Sequence, residues 1–225
     1  LVIGTQGKHF SVGANLVTMK EGIDSRDFAA FEQRVRSFQK MTMAIKYSKK
    51  PIVAAPYKMT LGGGLEVVLH TSARVAFYKS FMGLVEVGVG LIPGGGGTKE
   101  SALLVGTAAQ DKREETMKAV FRKLLTRTVT KDAGDALDKR YLAPGDLIAT
   151  APDQLIGWAK TMCLELLDVG YATGEAAKVT LPGKAGYDTL CAYAEELLAA
   201  GEVTPYDVEI GKKIARVLSG GEAGG

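Results

Sequence analysis

The chain has 225 residues, 46% hydrophobic and 24% charged, a composition that suits one core-forming domain or two small ones and excludes disordered, collagen-like and low-complexity chains. A formal charge of +3 without a run of five or more Lys or Arg sets nucleic-acid binding aside. Two cysteines, Cys163 and Cys191, lack a CxxC pattern and the only histidines are His9 and His70, which argues against a disulfide scaffold or zinc site and fits a reducing compartment.

The start, Leu1-Val2-Ile3-Gly4-Thr5, reads as an apolar strand already under way, so a preceding segment is expected upstream. It lacks the basic start and apolar run of a signal peptide, and no later stretch reaches the ~18 apolar residues of a membrane span, so the expected location is cytoplasmic. Between Ser25 and Lys46, Phe28, Phe31, Val35, Phe38, Met41 and Ile45 recur at three- and four-residue steps, predicting an amphipathic helix. Lys49-Lys50-Pro51 stops it, and Ile52-Val53-Ala54-Ala55 predicts a buried strand. Glycines 62–64 then open a helix over Leu65–His70, and Arg74 to Tyr78 predicts the next strand.

Phe81 to Val89 fits strand or loop, and Thr98 is the expected N-cap of a helix that follows glycines 94–97. From about Lys112 the chain reads as helical, with one helix through Met117, Val120, Phe121, Leu124 and Leu125, another over Asp153–Leu167 and a third over Tyr187–Leu198. The last helix carries Thr204 at the N-cap, Pro205 at its first position, Asp207 as a capping-box acid and Gly220 past its end. The expected organisation is therefore an α/β core over 1–110 and a helical region over 111–225.

Chemistry concentrates in three glycine-bearing segments: Phe10 to Asn15, Gly62 to Glu66, and Glu86 to Thr98. Where a glycine loop meets a helix start, N–H groups without intrahelical partners point outward and suit a developing oxyanion, which makes Gly63 a candidate donor. Glu66, in the first turn of that helix, reads either as a helix-dipole glutamate or as a general base. Glu86 lies in a nearly uncharged stretch, so it is either a solvated loop carboxylate or a buried one with a raised pKa, able to donate a proton. The two make an acid/base pair only if both face one pocket.

Competing motifs fail. Gly94 to Lys99 lacks the Gly-Lys-Ser/Thr ending of a phosphate loop, Pro93 stands where a dinucleotide fingerprint needs its third glycine, and no G-x-S-x-G elbow exists. No NAD site is expected in the chain. His70, Cys163, Cys191 and Trp158 read as core residues.

The segments resemble the crotonase (enoyl-CoA hydratase/isomerase) superfamily. Phe10-Ser11-Val12-Gly13-Ala14-Asn15-Leu16 is similar to F-x-x-G-A-D-L, Lys50 to Ala55 to K-P-x-I-A-A, and Leu61 to Glu66 to x-G-G-G-x-E. Glu86 to Thr98 resembles E-x-x-x-G-x-x-P-G-x-G-G-T, and the whole looks most like the C-terminal hydratase part of a fused 3-hydroxyacyl-CoA dehydrogenase/enoyl-CoA hydratase. The resemblance implies an α/β, crotonase-like ββα spiral, incomplete at its N-terminus, with C-terminal helices that mediate a homotrimer or hexamer. It implies an acyl-CoA substrate and no cofactor or metal, and hydration of a trans-2-enoyl-CoA in β-oxidation. Glu66 and Glu86 would be catalytic, Val12 and Gly63 N–H groups would form the oxyanion hole, and Gly94, Gly13 and Ala14 would place substrate and water. The rivals are a Δ3-Δ2 enoyl-CoA isomerase and a non-catalytic assembly fragment. The chain departs from the pattern at Asn15, at Ser72, in the charged stretch from Gln110 to Glu115, and in the turn from Tyr57 to Thr60, where Lys58 stands at an expected positive φ.

Overall fold

A computed structural model describes residues 1–221. The strands are β1 (Val2–Ile3), β2 (Val53–Ala54), β3 (Met59–Leu61), β4 (Ala73–Phe77), β5 (Phe81–Gly83) and β6 (Leu147–Ala149). The helices are α1 (Leu16–Asp24), α2 (Phe28–Lys46), α3 (Gly63–Leu69), α4 (Gly97–Thr107), α5 (Arg113–Leu125), α6 (Ala133–Asp138), α7 (Leu155–Asp168), α8 (Gly183–Ala199) and α9 (Pro205–Ser219). Two compact units form, one from Leu1–Leu84 with Val129–Glu175, the other from Val85–Thr128 with the chain from Ala176 onward. The expected division at 110 follows the change in element type, whereas these units follow packing and interleave along the chain.

In the first unit every strand pairing is parallel, in a sheet of order β1-β2-β4-β6 and a second sheet of β3 with β5. Parallel neighbours need crossovers, and here the chain alternates between sheets before each helix. β2 leads to β3 and α3; β4 leads to β5 and a 3-10 turn over Glu86–Val89, which begins the second unit. β1 leads to Ser11, which bridges Thr60 in β3, and then to α1. This is the expected ββα spiral. Val53, Ala55, Val75, Phe77 and Ala149 pack on Leu155, Ala159 and Cys163 of α7, so the central strands are covered, and Ile52 to Ala55 and Val75 to Phe77 are continuously apolar.

Several expectations need correction. β6 interrupts the stretch read as wholly helical beyond Lys112, and α6 is a helix not singled out there. α1 was not expected; Asn15 caps it, its Oδ1 accepting from the N–H groups of Val17 and Thr18 at 3.0 and 3.4 Å. Thr98 is not the N-cap of α4. Gly96, at φ 128°, holds that place, and Thr98 Oγ1 donates to Pro93 O at 3.0 Å. α2 begins after Asp27 as a regular helix, but of its residues only Thr42 is buried, and Phe28 is 61% exposed.

In the second unit α5 buries Met117, Val120, Phe121, Leu124 and Leu125 as expected. α9 has the full capping box between Thr204 and Asp207 and ends on left-handed Gly220. Gly211 lets it approach α5 closely: a Cβ there would lie 3.2 Å from Leu125 Cδ1 and 3.3 Å from Phe121 Cζ.

Candidate active site

The first unit gathers five of the expected site residues. Ser11 N donates to Met59 O at 3.1 Å and Leu61 N to Ser11 O at 3.0 Å, so the segment Val12-Gly13-Ala14 leaves the sheet beside Leu61 and Gly62. Gly13 takes φ 97° and its N–H donates to Ser11 Oγ at 3.2 Å. Val12 is 63% exposed, so its side chain stands outside the core. Across from it, Gly62 (φ 53°) donates to Gly83 O at 2.9 Å and caps α3.

Gly64 lies directly on Ser11, since a Cβ at Gly64 would come within 2.5 Å of Ser11 Oγ and nearer still to Ser11 Cβ. Only glycine permits the Ser11 side chain to come that close to the α3 main chain. A Cβ at Gly63 would sit 3.3 Å from Phe38 Cζ of α2 and 3.9 Å from Glu66 Oε2. The Glu66 carboxylate therefore lies against the Gly63 main chain, in the turn whose first N–H groups have no acceptor within the helix. Glu66 is 3% exposed, its N–H donates to Gly62 O at 3.0 Å, and its carbonyl is 2.6 Å from His70 Nδ1. A carbonyl only accepts, so Nδ1 carries the proton, and His70 is the buried core residue expected.

The second unit holds Glu86 and Gly94. Glu86 is half-buried and starts the 3-10 turn, which is closed by Gly88 N to Val85 O at 3.0 Å, Gly90 N to Val87 O at 3.1 Å and Leu91 N to Glu86 O at 3.1 Å. Pro93 O accepts from both Thr98 N (3.2 Å) and Thr98 Oγ1 (3.0 Å), bracing the turn that contains Gly94. Sequence reasoning missed Ser11 and Phe38 as supports of the glycine turn. Phe38 was visible on the apolar stripe of its helix, but nothing local marks what it packs against. Among the described residues no group of three or more His, Cys, Asp or Glu could hold a metal ion, and no helix is long and apolar enough to cross a membrane.

The family model "Enoyl-CoA hydratase/isomerase" matches residues 1–109. Over 222 residues the chain is 40% identical to a protein of Bacillus subtilis named "Probable 3-hydroxyacyl-CoA dehydrogenase", covering 99% of this chain and 28% of that protein. It is 33% identical over 108 residues to the crotonyl-CoA hydratase of Syntrophomonas wolfei, covering 47% of this chain and 39% of the hydratase. The chain thus spans well under half the length of either relative. The solved enoyl-CoA hydratase from Polaromonas sp. JS666 superposes with TM-score 0.60 at 16% identity, over 96% of this chain and 72% of that one, a likeness of fold.

Proposed function

We propose, from the premise that the chain belongs to the enoyl-CoA hydratase/isomerase family, that it is the hydratase part of a β-oxidation protein. It would add water to a trans-2-enoyl-CoA and yield the 3-hydroxyacyl-CoA. The observation that carries this reading is the buried Glu66 carboxylate lying 3.9 Å from the Cβ position of Gly63, at a helix start whose first N–H groups have no acceptor within the helix. Relatives named crotonyl-CoA hydratase and 3-hydroxyacyl-CoA dehydrogenase support it.

Adding water to the conjugated C=C places enolate charge on the thioester oxygen. In this reading the N–H groups of Val12 and Gly63 stabilise that charge, by about 3 to 4 kcal/mol per donor if other oxyanion holes are a guide. Gly13 and Ala14 shape the main chain at the first donor. Glu66 and Glu86 exchange protons with the water and the α-carbon, and Gly94 N–H orients the water. No cofactor enters beyond the CoA carried by the substrate. The proposed setting is a cytoplasmic homotrimer or hexamer, with an NAD-dependent dehydrogenase fused to or beside this chain; the assembly helices are those of 111–225. Loss of the enone absorbance of crotonyl-CoA tests the reading: it should proceed with the parent and fall at least about 100-fold in Glu66→Gln and in Glu86→Gln. Unchanged turnover in both variants would remove the assignment.

A further inference from the structure

Resting on the reading of Glu86 as a proton-handling residue, we infer that Arg127 is a positioning residue: anchored by Asp207, it holds the main chain of the Glu86 turn. Arg127 follows the cap residue of α5, Thr126, and has φ 55°, a left-handed place that usually goes to glycine. Its N–H donates to Leu124 O at 3.2 Å, and Thr128 N closes on Lys123 O at 3.0 Å, so the helix end itself asks only for that backbone shape. A side chain kept at a strained position points to a use for it.

The contacts of Arg127 supply the use. Nη1 lies 3.4 and 3.5 Å from the two carboxylate oxygens of Asp207, whose side chain is only 5% exposed. Asp207 is itself fixed, since Oδ2 accepts from Thr204 N at 2.8 Å and Thr204 Oγ1 at 2.9 Å in the capping box of α9. Between its two ends the arginine stem crosses Gly88: a Cβ at Gly88 would stand 3.2 Å from Arg127 Cδ. Next to it, a Cβ at Gly90 would stand 3.5 Å from Tyr206 Cε1. The turn from Glu86 to Gly90 thus leans on two side chains anchored at the start of α9. A single 3-10 turn with two glycines has little rigidity of its own, and Glu86 can aim its carboxylate reproducibly only if that main chain is held.

Two variants test this. Arg127→Gly satisfies the left-handed backbone and removes the stem and cation; Arg127→Lys keeps a stem and a cation. Arg127→Gly trades relief of the left-handed backbone against the lost Asp207 ion pair, so it should stay folded with at most a modest fall in the urea midpoint. Amide exchange at Gly88, Gly90 and Leu91 should accelerate about tenfold, and kcat for crotonyl-CoA should fall by about the same factor at unchanged KM. Arg127→Lys should recover most of both. Unchanged exchange in Arg127→Gly, or unchanged kcat in it when the parent is active, overturns the inference. A parent without hydratase activity, or one indifferent to Glu86→Gln, instead overturns the hydratase reading, and the exchange rates still decide whether Arg127 holds the turn.

Discussion

Gly64→Ala puts the proposed oxyanion geometry under direct load. The new methyl would come within 2.5 Å of Ser11 Oγ, against an ordinary contact of at least 3.4 Å, so one main chain must yield by about 0.9 Å or more. Overpacking of this kind costs about 1–3 kcal/mol. Replacing glycine by alanine in a helix returns about 1 kcal/mol, which leaves a net loss of roughly 0–2 kcal/mol. Catalysis should suffer more, because Ser11 immediately precedes Val12 and a misplacement near 1 Å costs about 100-fold, or about 2.7 kcal/mol of barrier. Urea unfolding and crotonyl-CoA hydration measured on the same variant should therefore show stability lowered by no more than about 2 kcal/mol, with kcat of the folded protein down about 100-fold. Ser11→Gly removes the atoms the methyl strikes, leaving Ser11 Cα at 3.5 Å, and added to Gly64→Ala it should restore part of the rate. Parental kcat in the single variant would show that the Ser11–Gly64 contact does not set the donor, and the argument would fail.

Lys58 sits at φ 52°, with its ammonium 5.1 Å from the Tyr57 ring centroid. Relief of the left-handed strain is worth about 1–2 kcal/mol and the cation–π contact about 0.5–1, so Lys58→Gly should raise stability by about 0–1.5 kcal/mol; a lowered thermal midpoint would contradict this. The Asp135 carboxyl titrates below its usual 3.8, chiefly through the bond from Lys139 and also through Lys131 N–H at 2.8 Å. A depressed carboxyl stabilises the fold above its unfolded value and ceases to as pH falls through the folded one. Asp135→Asn should therefore lower the urea midpoint at pH 7, and the gap to the parent should close below about pH 3.8. A gap that stays constant over that range would rule the ion pair out as its source.

The sequence made visible those elements whose signals are local. Thr204, Pro205, Asp207 and Gly220 mark both ends of α9 within one segment, and the buried positions of α5 recur at helical spacing. β6 was hidden because Leu147-Ile148-Ala149 is too short for any period to show, and it becomes a strand only by pairing with Val75, Ala76 and Phe77. Thr98 misled because a threonine before a helix is an ordinary cap, while the positive φ required at Gly96 moves the start of α4. At the site, Glu66 announced itself through the glycines before it. That Ser11 packs on Gly64 was not visible, since Ser11 arrives by pairing with Thr60 from the far side of α1, α2 and β2. Arg127 was equally silent: a left-handed arginine has no sequence signature.

The interleaving of the two units has a consequence for synthesis on the ribosome. The first unit needs β6 and α7 to cover its sheet, and the second needs α8 and α9 to close on α4 and α5. A nascent chain that has reached Thr128 therefore holds the opening half of each unit and the finished form of neither. Its apolar β2 and β4 wait uncovered until α7 has emerged, at about 5–20 residues per second. Stalling of translation between α5 and α7 is the point at which this chain is most exposed to aggregation.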